Sequence, residues 1–370
     1  MIYKPFKDRE VSMLGLGCLR FPLEAGSKNR IDRAETEKIL DAAIAAGINY
    51  FDTAYIYQDG DSERVLGELL TKYPREKYML ATKFNPDPGV DIETAFKQEL
   101  ERCQTDYFDV YMFHNVDESH MDKYMGRPEY LEFMLEMKKQ GKARNIGFST
   151  HACPENLEKF LNWYDGFDMA LMQLNFLDWK HLNAKRQYEI LTEHGIPVWV
   201  MEPLKGGNLL KMNAEALDIL EKAAPGRSIP EWGFRFAMGF ENVHTVLSGM
   251  SSVEMIEQNA KTFSELSPLT EAETDALMEA AKSIVQNMGV PCSACRYCCP
   301  TCPAELDIPL LLQGYNELRF TNKGNWRVNG LSDAKGPEAC LQCGECLNHC
   351  PQKIDIPGTM EAFANLRAKK

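Results

Sequence analysis

The chain has no apolar run approaching the roughly 20 residues that span a bilayer. It has no excess of positive charge and almost no cysteine in its first 290 residues. Each absence excludes something. Without a long apolar run, no membrane-spanning helix is expected. With 54 Asp and Glu against 41 Lys and Arg the net charge is −13, so the basic footprint required by nucleic acid or an anionic lipid surface is missing. The opening residues, MIYKPFKDRE, lack the apolar centre of a signal peptide. A cytoplasmic location is therefore expected, where thiols stay reduced. No G-x-G-x-x-G follows the first apolar run, which reads GLGCLR. That disfavours an open dinucleotide-binding sheet.

What is present is alternation. Between residues 11 and 290, eight short apolar runs recur: MLGLGCLRF, INYFDTA, YMLATKF, FDVYMFH, ARNIGFS, MALMQLNF, PVWVMEP and VHTVLSGM. Helical periodicity fills the intervals. In DIETAFKQELER, Ile92, Ala95, Phe96 and Leu100 share one face, and Asp91 is placed to cap the start. In RPEYLEFMLEMKKQGK, Pro128 suits the first turn, Leu131, Met134, Leu135 and Lys138 follow, and Gly141 suits the C-terminal cap. Eight strands alternating with helices predict an α/β chain whose residues 1–288 form a (β/α)8 TIM barrel. Residues 1–12 precede the first barrel strand and are expected to form a small hairpin.

Chemistry in such a barrel sits where strands end. Strand two ends at Asp52 and runs into Tyr57, strand three ends at Lys83 and strand four at His114. Singly, these read as a turn cap, a loop aromatic, a snorkelling lysine and a core histidine. Jointly, a lysine and a histidine at such positions are awkward to bury unpaired. The D-T-A-x-x-Y of FDTAYIY, with the lysine of ATKF and the histidine of MFHN on the next two strands, resembles the aldo-keto reductase family over residues 11–285. The resemblance implies a nicotinamide-dependent reduction of a carbonyl, or oxidation of an alcohol. In it Tyr57 is the proton donor, Lys83 tunes it, Asp52 fixes and neutralises Lys83, and His114 orients the carbonyl. Elementary chemistry agrees: a phenol with a pKa of about 10 keeps its proton at neutral pH, and a nearby ammonium eases its loss.

The same resemblance implies the cofactor contacts. Ser149 and Gln173 would meet the carboxamide, with Thr150 where asparagine is frequent. Met201 takes the slot of an aromatic that stacks on nicotinamide. Lys205, Gly206 and Gly207 would approach a pyrophosphate. Ser248, Gly249, Met250, Ser251, Gln258 and Asn259 fall on the adenosine-phosphate loop and helix, where oriented N–H groups suit phosphate. Met255 stands where NADP-preferring relatives carry arginine, and a thioether supplies no charge for a 2′-phosphate. NAD and NADP both stay open as NAD(P)(H). Arg20, Tyr55, Phe84, His151 and Phe176 are expected to line the substrate pocket.

The cysteines missing from the barrel crowd the end. Cys18, Cys103 and Cys153 are scattered, and nine of the 12 follow residue 290. In a reducing compartment clustered thiols suggest metal. Cys292, Cys295, Cys298 and Cys302 are spaced C-x2-C-x2-C-x3-C before Pro303. Cys340, Cys343, Cys346 and Cys350 repeat that spacing before Pro351, 48 residues on. CPAELDIP at 302–309 answers CPQKIDIP at 350–357, so the unit is duplicated. The spacing resembles bacterial two-cluster ferredoxins. Zinc needs only two C-x2-C pairs and leaves the third cysteine and the proline unexplained. The resemblance implies a ferredoxin-like iron–sulfur domain over 289–370 with two [4Fe–4S] clusters, the fourth cysteine of each run serving the other cluster. Cys292, Cys295, Cys298 and Cys350 would hold one, and Cys340, Cys343, Cys346 and Cys302 the other. Cys299 has no place in that scheme and reads as a free thiol nearby. The stretch between the repeats starts helical, becomes rich in Gly and Asn after Thr321, and suits docking on the barrel or on a partner.

Clusters of this kind move single electrons, whereas nicotinamide delivers a hydride. A flavin, or a substrate that tolerates radicals, would have to join the two. Three readings stay open: clusters that exchange electrons with a ferredoxin or flavoprotein in concert with the barrel, an ordinary carbonyl reductase with structural or redox-sensing clusters, and an electron-transfer module without turnover. The intact Asp52, Tyr57, Lys83 and His114 set counts against the last.

Overall fold

The eight apolar runs fold as eight parallel strands. The computed structural model describes residues 1–117, 120–292, 296–321 and 326–368, with 326 and 327 by backbone alone. Strands β1 (Tyr3–Phe6) and β2 (Arg9–Ser12) form the expected antiparallel hairpin. Strands β3 (Leu14–Gly17), β4 (Tyr50–Asp52), β5 (Met79–Phe84), β6 (Phe108–Val116), β7 (Ala143–Thr150), β8 (Met169–Gln173), β9 (Val198–Met201) and β10 (Val243–Ser248) then run in order around a closed barrel. Strand β10 pairs back to β3. With helices between consecutive strands, this is the (β/α)8 architecture.

Alternation along each strand separates two cores. Tyr50, Met79, Ala81, Val110, Met112, Met169, Leu171, Trp199 and Leu247 cluster inside the barrel. Their neighbours Phe51, Leu80, Tyr111, Phe113, Ala170, Val198 and Val200 face outward and pack under the helices. The hairpin belongs to the inner core. Phe6 and Val11 join it, and the Phe6 ring meets Trp199 edge-on with centroids 4.7 Å apart. The N-terminal end of the barrel is thereby closed.

The helices follow their caps. The carboxylate of Asp91 accepts from the Thr94 N–H at 2.9 Å and opens the helix Ile92–Arg102. That helix buries Ile92, Ala95 and Phe96, and also Glu99, which the apolar pattern does not predict. The helix Pro128–Lys139 opens on its proline, and Gly141 turns the chain away with φ 72°. It buries Tyr130 and Met134 but leaves Leu135 38% exposed. The stripe is rotated toward Tyr130, whose ring packs edge-on against Phe84.

The helix Glu271–Asn287, started by a reciprocal Thr270–Glu273 capping box, leads to a second and smaller core. There Val290, Leu306, Ile308, Leu311, Leu312, Ile356, Met360 and Phe363 surround the clustered cysteines. The sequence duplication is visible as structure. Each D-I-P segment opens a helix, Ile308–Thr321 and Ile356–Arg367, whose first turn is capped by the preceding aspartate. Asp307 accepts from Leu310 N at 3.3 Å and Asp355 from Gly358 N at 3.1 Å. Phe320, at the end of the first of these helices, packs against the barrel's outer core.

Candidate active site and cysteine cavities

Strand parity gathers the site. Asp52, Lys83 and His114 lie two residues beyond the inward-facing Tyr50, Ala81 and Met112, so all three face into the barrel toward the C-terminal ends of β4, β5 and β6. By the same count Gln173 and Met201 follow Leu171 and Trp199 inward on β8 and β9. The Lys83 ammonium is 1% exposed, donating to Asp52 Oδ1 at 2.5 Å and to the Thr53 carbonyl at 2.7 Å. It lies 5.1 Å from the centre of the Tyr57 ring. Tyr57, half-buried on the turn after β4, meets His114 edge-on with centroids 5.8 Å apart.

The electrostatics follow from burial around one cation. Burial raises the Asp52 carboxyl above its ordinary range although Lys83 pulls it down. Burial also works against the charge on Lys83, yet Asp52 and Tyr57 together hold its proton affinity above normal. The Tyr57 phenol is pushed up by burial against the pull of Lys83. Burial and then the Lys83 charge drive the His114 imidazole well down. His114 is therefore neutral near pH 7, and its Nδ1 has no hydrogen-bond partner among the described residues.

Behind these four lies a layer that sequence reading missed. Glu63 accepts from Thr82 Oγ1 at 2.7 Å and from Arg102 Nη1 at 3.0 Å. Arg102 in turn stacks 4.4 Å from the Tyr55 ring centre. Thr82 adjoins Lys83 on β5, so this network clamps the strand that carries the lysine. In SERVLGELL, Glu63 looks like helix surface, and nothing local marks it as buried.

Of the residues expected on the cofactor side, Ser149, Gln173, Met201 and Ser248 lie at the ends of β7, β8, β9 and β10, with Gly206 and Gly249 just beyond. Ser149 Oγ accepts from Asn115 N at 2.8 Å. Gln173 Oε1 lies 2.8 Å from His151 Nδ1, and its Nε2 donates to Asp178 Oδ2 at 2.7 Å. Gly206 and Gly207 take φ of 63° and 88° in the turn after β9. The Arg20 stem covers Gly249, where an added Cβ would lie 2.7 Å from its Cδ, and its guanidinium reaches to Gly206. Arg20 thus spans the gap between these two loops. Ser248 Oγ accepts from Asn259 Nδ2 at 3.2 Å. Ser252 caps the helix Val253–Thr262, Ser251 Oγ sits 3.7 Å from Met255 Sδ, and Gln258 is exposed.

Five placements differ from expectation. Lys205 is 2% exposed and donates to Asp178 Oδ1 at 2.7 Å, with Glu317 Oε1 2.6 Å away. The glycine turn tucks its ammonium between carboxylates and not toward a pyrophosphate. Met250, 1% exposed, belongs to the outer core. Phe84 and Phe176 are fully buried there too, because Phe84 has the parity opposite to Lys83. Tyr55 packs against the outer core under Arg102, its hydroxyl donating to Gln98 Oε1 at 2.7 Å. The substrate-facing candidates that remain near the rim are Arg20 and His151.

The cysteines line two cavities. Cys340, Cys343 and Cys346 share one of about 360 Å³ with Cys302, which comes from the other run. Cys292 and Cys298 share one of about 290 Å³ with Cys350. Cys295 lies outside the described residues. No compact group of three or more metal-binding side chains occurs among the described residues. Donors spread around a chamber fit a multi-iron cluster. Cys299 lines neither chamber and faces a groove with Arg296 and Asp307, while His349 sits exposed on the rim of the smaller chamber.

Comparison with known proteins agrees with both halves. The Aldo/keto reductase family signature matches residues 13–282, and the 4Fe-4S dicluster domain signature matches 291–354. An uncharacterized oxidoreductase of Bacillus subtilis is 28% identical over 309 residues, 74% of this chain and 94% of that protein. L-galactose dehydrogenase of Arabidopsis thaliana is 26% identical over 314 residues, 76% of this chain and 95% of that one. Among solved structures, the holo form of an aldo-keto reductase from Bacillus halodurans superposes with a TM-score of 0.63 at 27% identity, covering 76% of this chain and 97% of that one.

Proposed function

Because the chain belongs to the aldo/keto reductase family, we propose that its barrel reduces the carbonyl of a small molecule, or oxidises the matching alcohol, at Tyr57. In the same proposal the 4Fe-4S dicluster domain holds two [4Fe–4S] clusters and exchanges single electrons with a ferredoxin or flavoprotein. The observation that carries the reading is the buried Lys83, fixed 2.5 Å from Asp52 and facing the Tyr57 ring. A lysine so placed has no packing role that an apolar residue would not fill better. Its charge stabilises the phenolate left when Tyr57 gives its proton to the substrate oxygen. His114, kept neutral by burial, can donate a hydrogen bond to that oxygen without competing for the proton. Asp52 keeps the lysine protonated throughout.

NAD(H) or NADP(H) supplies a hydride when bound, at the rim formed by Ser149, Gln173, Met201, Gly206, Ser248, Gly249, Ser251, Gln258 and Asn259. The positions of Ser149, Gln173, Met201 and Ser248 at the ends of β7, β8, β9 and β10 support that role. The clusters supply one electron at a time, and a flavin is the candidate that would convert between the two.

Tyr57→Phe should lower carbonyl reduction by about 10²- to 10⁴-fold, the contribution of a general acid, while thermal unfolding and nicotinamide binding stay unchanged. Undiminished turnover would remove Tyr57 from the mechanism. Anaerobic protein analysed for iron, sulfide and flavin, then titrated with NADH and NADPH, tests the coupling. Bleaching of the cluster spectrum only with flavin present supports shared electrons. Normal carbonyl reduction without any bleaching separates the two halves.

A further inference from the structure

One buried group of charges belongs neither to the tetrad nor to the cysteines, and it joins the two domains. Lys205, in the turn after β9, lies 2.7 Å from Asp178 Oδ1 and 2.6 Å from Glu317 Oε1. Glu317 comes from the helix Ile308–Thr321 of the C-terminal domain, and Asp178 from the short helix after β8. All three side chains are at most 4% exposed. His181 Nε2 faces Glu317 Oε1 at 3.8 Å, the Glu202 charge adds repulsion, and Gln313 Nε2 donates to the His181 carbonyl at 3.0 Å.

While the His181 imidazole 3.8 Å from Glu317 is neutral, two carboxylates around one ammonium leave one negative charge in excess in a dry interface, and such an excess favours protonation of one of them. The hydrogen bonds decide which. Asp178 accepts from Gln173 Nε2 at 2.7 Å and Asn175 Nδ2 at 2.6 Å as well as from Lys205. Bonds of that kind hold a carboxylate ionised, and Asp178 lies below its ordinary range, burial being outweighed by Lys205, the His181 charge and the Asn175 bond. Glu317 has the ammonium and, among the described residues, no comparable amide donors. Burial pushes it up to about 7 even with Lys205 beside it.

The same helix reaches the cysteine chambers. Ile308 lines one, and Pro309 and Leu312 line the other. From Leu312 to Glu317 is five residues, about 7.5 Å of helical rise. A charge added in a chamber therefore acts on Glu317 over a short path through packed protein. At on the order of 12 Å and an effective dielectric of roughly 20, one added electron strengthens proton binding by about tenfold.

We propose that Glu317 is a redox-linked proton acceptor, taking one proton from solvent when a cluster in the C-terminal domain accepts one electron. The cluster is reduced by one electron, a one-electron donor such as a reduced ferredoxin or dithionite is oxidised, and the Glu317 carboxylate becomes a carboxylic acid. The proton then sits in a hydrogen-bonded series, Glu317–Lys205–Asp178–Gln173–His151, that ends at the barrel's rim. This inference rests on the cluster assignment proposed above.

The test is a spectroelectrochemical titration of the full, cluster-loaded chain from pH 5.5 to 9, preceded by iron and sulfide counts. The sign is set by proton uptake. At the acid end Glu317 is protonated in both redox states and the midpoint potential is flat. Above the point where Glu317 of the oxidised, loaded chain gives up its proton, which the cluster charge sets higher than burial alone does, the potential falls with rising pH, until about one unit higher it flattens again. Glu317→Gln should remove this fall with the cluster spectrum unchanged. Lys205→Met withdraws the neighbouring cation and should move the fall to higher pH. The same curve in wild type and both variants, or a flat curve in loaded wild type, overturns the inference. A chain that binds no iron and sulfide overturns the cluster assignment together with it.

Discussion

Lys83 can keep its charge inside a barrel because Asp52 is 2.5 Å away and Thr53 offers a carbonyl. The pair is interdependent. Removing the cation alone leaves Asp52 buried beside Cys18 with nothing to balance it. Lys83→Met should therefore cost about 3–5 kcal/mol of stability, the usual penalty for breaking a buried pair. The double variant Asp52→Asn with Lys83→Met should recover much of that loss, with no turnover expected from either protein. Urea unfolding of wild type, Lys83→Met, Asp52→Asn and the double variant checks this, and an additive double variant would mean the two charges do not see each other. These residues were legible because their strands are: the period of two that places Tyr50, Ala81 and Met112 inside puts Asp52, Lys83 and His114 there as well. Phe84 was misread for the same reason, its parity being overlooked. Glu317 could not be read at all. It sits in the run LLLQGYNELRF, where a glutamate looks like helix surface, and its partner Lys205 is more than a hundred residues earlier.

At the scale of elements, close approach decides more than propensity does. The helix Asp61–Leu70 crosses the end of the helix Ile92–Arg102 at Gly67, where an added Cβ would lie 2.2 Å from the Arg102 carbonyl oxygen and 2.7 Å from the Cys103 carbonyl carbon. Both are backbone atoms and cannot swing away. Alanine would improve helix propensity by about 1 kcal/mol, but the overlap costs about 1–3 kcal/mol. Gly67→Ala should thus be net destabilising. It should also loosen the Arg102–Glu63 contact that clamps β5, so activity should fall with thermal stability. A more stable Gly67→Ala protein would show that the helices can part freely. The elements themselves were readable from apolar spacing, since each of the eight runs became a strand and Asp91, Pro128 and Gly141 marked real helix ends. The rotation of the helix Pro128–Lys139 was not, because Tyr130 is set by its contact with Phe84 rather than by its own neighbours.

For the molecule as a whole, the cysteine repeat was legible in its spacing, the resemblance to two-cluster ferredoxins implied that Cys302 crosses over, and Cys302 lies beside Cys340, Cys343 and Cys346. Cys302→Ala should then remove about half of the iron and sulfide if the chambers hold equal clusters. Adding Cys343→Ala to it should remove little more, because both line the same chamber. Adding Cys350→Ala should empty the other. Iron analysis of the anaerobic variants decides this, and losses paired as Cys302 with Cys298 would refute the crossing. How the domain sits on the barrel was not legible, because that depends on Phe320, Gln313 and Glu317 meeting surfaces formed by distant loops. The hairpin of Phe6 and Val11 has a consequence for traffic. It corks the N-terminal end of a barrel whose interior is packed, so substrate for Tyr57 should come and go at the C-terminal rim. The docked iron–sulfur domain, through Glu317 beside Lys205, stands on the frame of that door. Spent product and incoming substrate must queue for the same opening, so accumulation of product should slow turnover by occupancy alone.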